Sequence, residues 1–189
     1  MNTPLLAVLA LAASLTGCAD DPVSYSAPVG INLKAKSSDV ANDVVSDEKN
    51  INTESGNPYG AFVSDARTEL GGADPGGIAV DQLELLLGGD STGVTALGEI
   101  FAGATDVLFI MNDSNNSYPV GAAEIDAATT GGPIDLDVSF DSDDVGGDDW
   151  ARLLGGSFKV VIRGDAAPEF TTKGADADLQ LTFTFAAYE

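Results

Sequence analysis

Five carboxylates stand within nine residues in the run Asp141-Ser142-Asp143-Asp144-Val145-Gly146-Gly147-Asp148-Asp149. Ionised groups at that density repel one another unless water or a cation neutralises them. A hard cation such as calcium takes roughly six to eight oxygen ligands and would relieve the repulsion. Asp141, Asp143, Asp144, Asp148 and Asp149 are therefore candidate ligands for a weak Ca²⁺ site. The spacing begins as calcium chemistry requires, with Asp141 and Asp143 two apart and Gly146 at the turn position. It then departs from that pattern. Val145 falls where a ligand belongs, and Arg152 stands where a bidentate Glu is needed. A second series, Asp113, Asn115, Ser117 and Glu124, has Tyr118 in place of the turn glycine. The competing reading of both segments is a solvated turn.

Other chemistries lack their residues. The chain has no histidine, which removes Ser-His-Asp and Cys-His catalysis and the common zinc sites. No Gly-x-x-x-x-Gly-Lys-[Ser/Thr] run is present to cradle phosphates, and the glycine doublets form no dinucleotide fingerprint. Paired carboxylates of the glycosidase kind are the one catalytic apparatus that an acidic chain always offers. No catalytic residue is assigned, and no cofactor is expected beyond a weakly held Ca²⁺.

The sole cysteine, Cys18, closes the run Leu15-Thr16-Gly17-Cys18. Before it, Leu5 to Leu15 is apolar apart from Ser14, too short to span a bilayer at roughly 20 residues but suited to a signal-peptide core. The four residues resemble the lipobox of bacterial lipoproteins. That resemblance implies cleavage before Cys18, a diacylglyceryl group on its thiol, and a membrane anchor. The family's pattern is not met throughout, because Met1-Asn2-Thr3-Pro4 carries no Lys or Arg. Ala19, in place of the aspartate that signals inner-membrane retention in that family, implies export to the outer membrane. The expected organisation is a signal peptide over 1–17, lipidated Cys18 with a short disordered tether to residue 28, and an acidic domain over 29–189. The ten residues after the cysteine would reach at most about 35 Å.

Charge narrows the partners. Thirty Asp and Glu against eight Lys and Arg give a net charge of −22, none of it in the first seventeen residues. Between Arg67 and Arg152 lie 84 residues with seventeen carboxylates and no Lys or Arg. Such a surface repels phosphate backbones, which excludes nucleic acid as a partner. It also repels anionic headgroups and holds the domain off the membrane that anchors it. With no second cysteine there is no intrachain disulfide, so packing must supply the stability.

Period-two alternation dominates the elements that must position these groups. Strands are expected at Val29 to Lys36, Tyr118 to Ile125, Ile134 to Phe140, Phe158 to Ile162 and Leu179 to Phe185. Val107 to Met111 reads as a strand covered on both faces. Ile78 to Leu87 changes parity between Val80 and Leu83, which requires either a bulge near Asp81-Gln82 or a helical second half. Asn57-Pro58 opens a helix that ends before Gly71 and presents Tyr59, Phe62, Val63, Ala66 and Leu70 on one face. Val40, Val44 and Ile51 hint at another helical stripe, and Val94 to Phe101 at a third. In Ile134 to Phe140 the inward set is Ile134, Leu136, Val138 and Phe140. Asp135 and Asp137 would face Lys159 and Arg163 across an antiparallel ladder. The fold expected is mainly β: a single antiparallel β-sandwich-like domain with two or three short helices, or alternatively a small closed barrel.

The functional expectation is a non-catalytic cell-envelope lipoprotein that binds a partner (an envelope protein or polysaccharide) or builds the cell surface. A carboxylate-dependent hydrolase of envelope polymers and a carrier of apolar ligands are the alternatives.

Overall fold

The computed structural model describes residues 24–189 apart from Ser55; the expected signal segment, Cys18 and the expected tether up to residue 23 lie outside that range. Two antiparallel sheets pack face to face as a β-sandwich. The first sheet is ordered β1 (Ser24–Lys36), β9 (Asp176–Tyr188), β3 (Gly77–Leu87) and β6 (Ile134–Asp135). The second is ordered β2 (Val44–Ile51), β8 (Phe158–Ala166), β4 (Phe101–Met111), β5 (Ser117–Ile125) and β7 (Asp137–Val138). Two helices, α1 (Pro58–Glu69) and α2 (Gly147–Leu154), and four 3-10 turns complete the described chain.

Alternation explains the strands. β9 buries Leu179, Leu181, Phe183 and Phe185 and leaves Gln180, Thr182 and Thr184 half-exposed. β8 alternates, with Phe158, Val160 and Ile162 inward, while the middle of β4, inside the second sheet, reads as a near-continuous apolar run. Rings fill the space between the sheets. Phe109 meets Phe140 and Phe158, each at a centroid distance of 4.9 Å, and Tyr59 meets Phe158 at 5.1 Å. α1 is built as its sequence predicts. Asn57 Oδ1 accepts from the Tyr59 N–H at 2.9 Å, and Tyr59, Phe62, Val63 and Ala66 face inward.

The parity change in β3 is a bulge at Asp81. Val80 pairs with Phe185 and Gln82 with Thr184, so both halves of the strand keep their apolar residues in the core. Gly164 is fixed by a second irregularity, where the β4–β8 ladder slips between Phe101 and Thr105. A Cβ at position 164 would lie 2.6 Å from Thr105 Oγ1 and 3.1 Å from the Ala104 carbonyl oxygen.

Several expectations are corrected. β1 begins at Ser24, so residues 24–28 are strand and not tether; Pro28 is accommodated because β1 is an edge strand. Residues 44–51 form β2 and not a helix. Val45 and Ile51 are its buried residues, while Asp47 and Lys49 occupy the same parity and conceal the alternation. Between Val94 and Phe101 only the 3-10 turn Leu97–Glu99 forms.

The segment Ile134 to Phe140 is not one strand. The Leu136 N–H donates to the Leu83 carbonyl in the first sheet, and the Ser139 N–H to the Val120 carbonyl in the second. The chain crosses between sheets, its parity resets, and Val138 is left 36% exposed. For the same reason Asp135 and Asp137 do not face Lys159 and Arg163. β8 lies between β2 and β4, so Lys159 pairs with Glu48 at 2.6 Å and Arg163 with Asp106 at 3.5 Å. Asp135 instead accepts from Gln82 Nε2 at 3.3 Å.

One end of the sandwich gathers the acidic segments. Ser24 pairs with Tyr188 and Tyr188 with Gly77, which puts the start of β1 beside the start of β3. There the Ile78 N–H donates to Ser142 Oγ at 2.8 Å, and Tyr59 OH to the Leu153 carbonyl at 3.1 Å, tying β3 and α1 to the region of α2. The opposite end holds the turns around residues 37–43, 88–100, 126–133 and 167–175.

Candidate functional site

The β4–β5 hairpin turns through Asn112 to Asn116. Asp113 and Asn115 take positive φ (67° and 56°), a conformation that short polar side chains tolerate. The Asn112 N–H donates to the Ser157 carbonyl at 3.0 Å, which sets the hairpin against the α2–β8 connection. α2 begins after Gly146 with Asp148 and Asp149 in its first turn, where the helix dipole favours negative charge.

Asp149 is the centre of the arrangement, and only 3% of it is exposed. Its Oδ1 accepts from Ser114 Oγ at 2.8 Å and Arg152 Nη1 at 2.9 Å. Its Oδ2 accepts from Asn116 Nδ2 at 2.7 Å and Tyr118 OH at 2.8 Å. Two donors on each oxygen fill the carboxylate's acceptor capacity. The Asn116 amide foremost, then the Ser114 and Tyr118 hydroxyls and the Arg152 guanidinium, hold the carboxyl down at about 2 against the opposing effect of desolvation. Desolvation, together with the bond to Asp149, raises the Tyr118 phenol above its ordinary range.

An open depression of about 480 Å³ lies at this network, lined by Ser114, Asn116 and Tyr118 from the hairpin side and by Gly146 to Asp149 and Arg152 from the α2 side. Chemically the network is closed. An ionised carboxylate with every acceptor position taken has no proton to give, no lone pair for a base's work and none for a metal.

The candidate ligands are distributed accordingly. Asp141 is exposed, and its Oδ1 accepts from the Asp143 N–H at 2.9 Å to cap the 3-10 turn Ser142–Asp144. Asp143, Asp144 and Asp148 are exposed, and Asp149 is committed to its four donors. Among the described residues no group of three or more carboxylate or thiol side chains is placed to hold a metal ion. The two acidic segments do meet, but through Ser114, Asn116 and Tyr118 and not through Asp113, Asn115 and Ser117, which are exposed. The hairpin turns the even-numbered residues towards α2, a parity that depends on the turn geometry. Cys18 lies outside the described residues.

Two features had no sequence signal. Glu99 Oε1 accepts from Lys173 Nζ and Oε2 from the Thr95 N–H, both at 2.6 Å, clipping the opposite end of the sandwich together. Those bonds, Lys173's first, hold the Glu99 carboxyl at about 2. Along the seam between β1 and β2, Asp47 Oδ2 accepts the edge N–H of Lys34 at 2.6 Å. Five of the eight cations are in ion pairs among the described residues; the other three, Lys34, Lys36 and Lys49, line one groove of about 630 Å³ on that seam.

Comparison with protein-family models, curated proteins and solved structures found no match. Among the described residues no helix is long and apolar enough to cross a membrane.

Proposed function

We propose that this chain is a lipid-anchored protein of the bacterial cell envelope, sorted to the outer membrane, whose β-sandwich serves as a non-catalytic binding or structural module. The observation that carries the reading is the run Leu15-Thr16-Gly17-Cys18 behind an apolar core, with Cys18 the only thiol in the chain. The closed network at Asp149 supports a non-catalytic role, because its best-positioned carboxylate is spent on holding the hairpin to α2. The ring-filled interior supports binding at the surface and not in an internal apolar cavity. The β1–β2 groove suits a polar partner such as an envelope polysaccharide or protein, since lysines without an ion pair among the described residues, the amide of Asn32 and several carboxylates, Asp39, Asp47 and Asp90 among them, line it together.

Fractionation after expression in a bacterium tests the anchor. The native chain is expected in the membrane fraction, released by detergent and not by salt. Cys18→Ser is expected to leave the membrane fraction, since even one acyl chain adds about 0.8 kcal/mol per buried methylene and several make attachment lasting. Equal partition of the two chains would remove the proposal.

A further inference from the structure

The geometry points to the α1/α2 end of the sandwich as the face turned towards the bilayer, with its carboxylates setting a stand-off that depends on lipid charge and ionic strength. The inference rests on the anchor at Cys18 proposed above.

Five residues lie between Cys18 and Ser24, and at full extension the six Cα–Cα steps cover at most about 22 Å. Ser24 is fixed in the ladder opposite Tyr188, so the anchored chain joins the sandwich at a defined end. β9 alone runs thirteen residues from that end to the other, about 43 Å at a strand's rise. The turns at the far end therefore lie about twice the tether's reach from Ser24.

What the near end presents is negative. Residues 52–76, 112–116 and 139–157 carry ten carboxylates and two cations. Both cations are occupied, Arg67 by Asp74 and Arg152 by Asp149. Exposed groups such as Asp113, Asp143, Asp144 and Asp148 have no cation paired with them among the described residues. An anionic leaflet repels such a surface over roughly a Debye length, about 8 Å at physiological salt, and the tether is long enough to let the domain retreat that far. On a neutral leaflet that like-charge repulsion is absent.

Trp150, the only tryptophan, sits in α2 at this end and reports its height. The test uses the full chain expressed in a bacterium, extracted in detergent and reconstituted into vesicles bearing a dansyl headgroup acceptor. Vesicles are either neutral phosphatidylcholine or one-third phosphatidylglycerol. Energy transfer from Trp150 is expected to be about twofold weaker on the anionic vesicles at low salt, with the difference lost at about 0.5 M NaCl. Replacing Asp143, Asp144 and Asp148 by Asn should restore transfer on anionic vesicles. Replacing Asp43, Asp90 and Glu169 at the far end by their amides should not.

Equal transfer on both lipids at low salt, or equal rescue by the two triple variants, would overturn the inference while leaving the anchor intact. Failure of the chain to float with vesicles, together with an intact mass lacking the diacylglyceryl group, would overturn the anchor and the inference with it.

Discussion

At the scale of single residues, Asp149 shows how an acidic chain can use a carboxylate for structure. Its four donors come from three places: the hairpin turn, the start of β5 and the next turn of α2. Removing the charge leaves those donors facing a group that cannot satisfy them, the most costly way to alter a buried bond network. Asp149→Asn is expected to lower Tm by about 5–10 °C at neutral pH, measured by thermal circular dichroism. The sign of the pH dependence follows from the depressed value. The folded carboxyl titrates near 2 and an unfolded aspartate near ~3.9, so the stabilisation is fully present above about pH 4 and is lost as pH falls towards 2. Between pH 4 and 2 the native protein should lose stability more steeply than the variant, and parallel curves would contradict the role given to Asp149. The sequence displayed the acidic run but not this role. A burial of one aspartate among five depends on which residues of a distant hairpin turn towards it, and that parity is set by two positive-φ residues, Asp113 and Asn115.

At the scale of elements, the strands with uninterrupted alternation were legible and those with charges at inward positions were not. β8 and β9 follow from their period, and α1 follows from Asn57, Pro58 and its apolar stripe. The parity break in Ile78 to Leu87 marked the bulge that the ladder shows at Asp81. β2 escaped notice because Asp47 and Lys49 interrupt the inward set between Val45 and Ile51. Ile134 to Phe140 misled for the opposite reason, since its alternation is regular while its backbone bonds belong to two sheets. The charges in β2 have a structural consequence. β1 and β2 are the two long edge strands, and inward-pointing charge on an edge discourages pairing with another chain. The double variant Asp47→Val with Lys49→Val gives up the Asp47 bond to the Lys34 N–H and gains no burial at exposed position 49, so its Tm should fall by a few degrees. It should also self-associate in sedimentation velocity at concentrations where the native chain is monomeric. A variant that stays monomeric would show that these charges do not guard the edge.

At the scale of the whole molecule, a net charge of −22 is carried by a sandwich whose stability comes from its ring-filled interior. Self-repulsion of that charge weakens as salt rises, whichever cation supplies the ionic strength. Trp150 follows Asp149 directly, so its emission reads the α2 region. Titration with Ca²⁺ to about millimolar, the range of weak extracellular sites, is expected to change that emission no more than NaCl of equal ionic strength. A saturable change specific to Ca²⁺ would show that the acidic run is a cation site. The proposed address and anchor rest on residues 15–18. The measurement that tests them most directly is the intact mass of the protein purified from bacterial membranes. Lipidation at Cys18, as proposed, predicts a chain that begins at Cys18, lacks residues 1–17 and is heavier than the bare polypeptide by a diacylglyceryl group, with or without a further acyl chain. A full-length chain with a free Cys18 thiol, recovered from the soluble fraction, would contradict it.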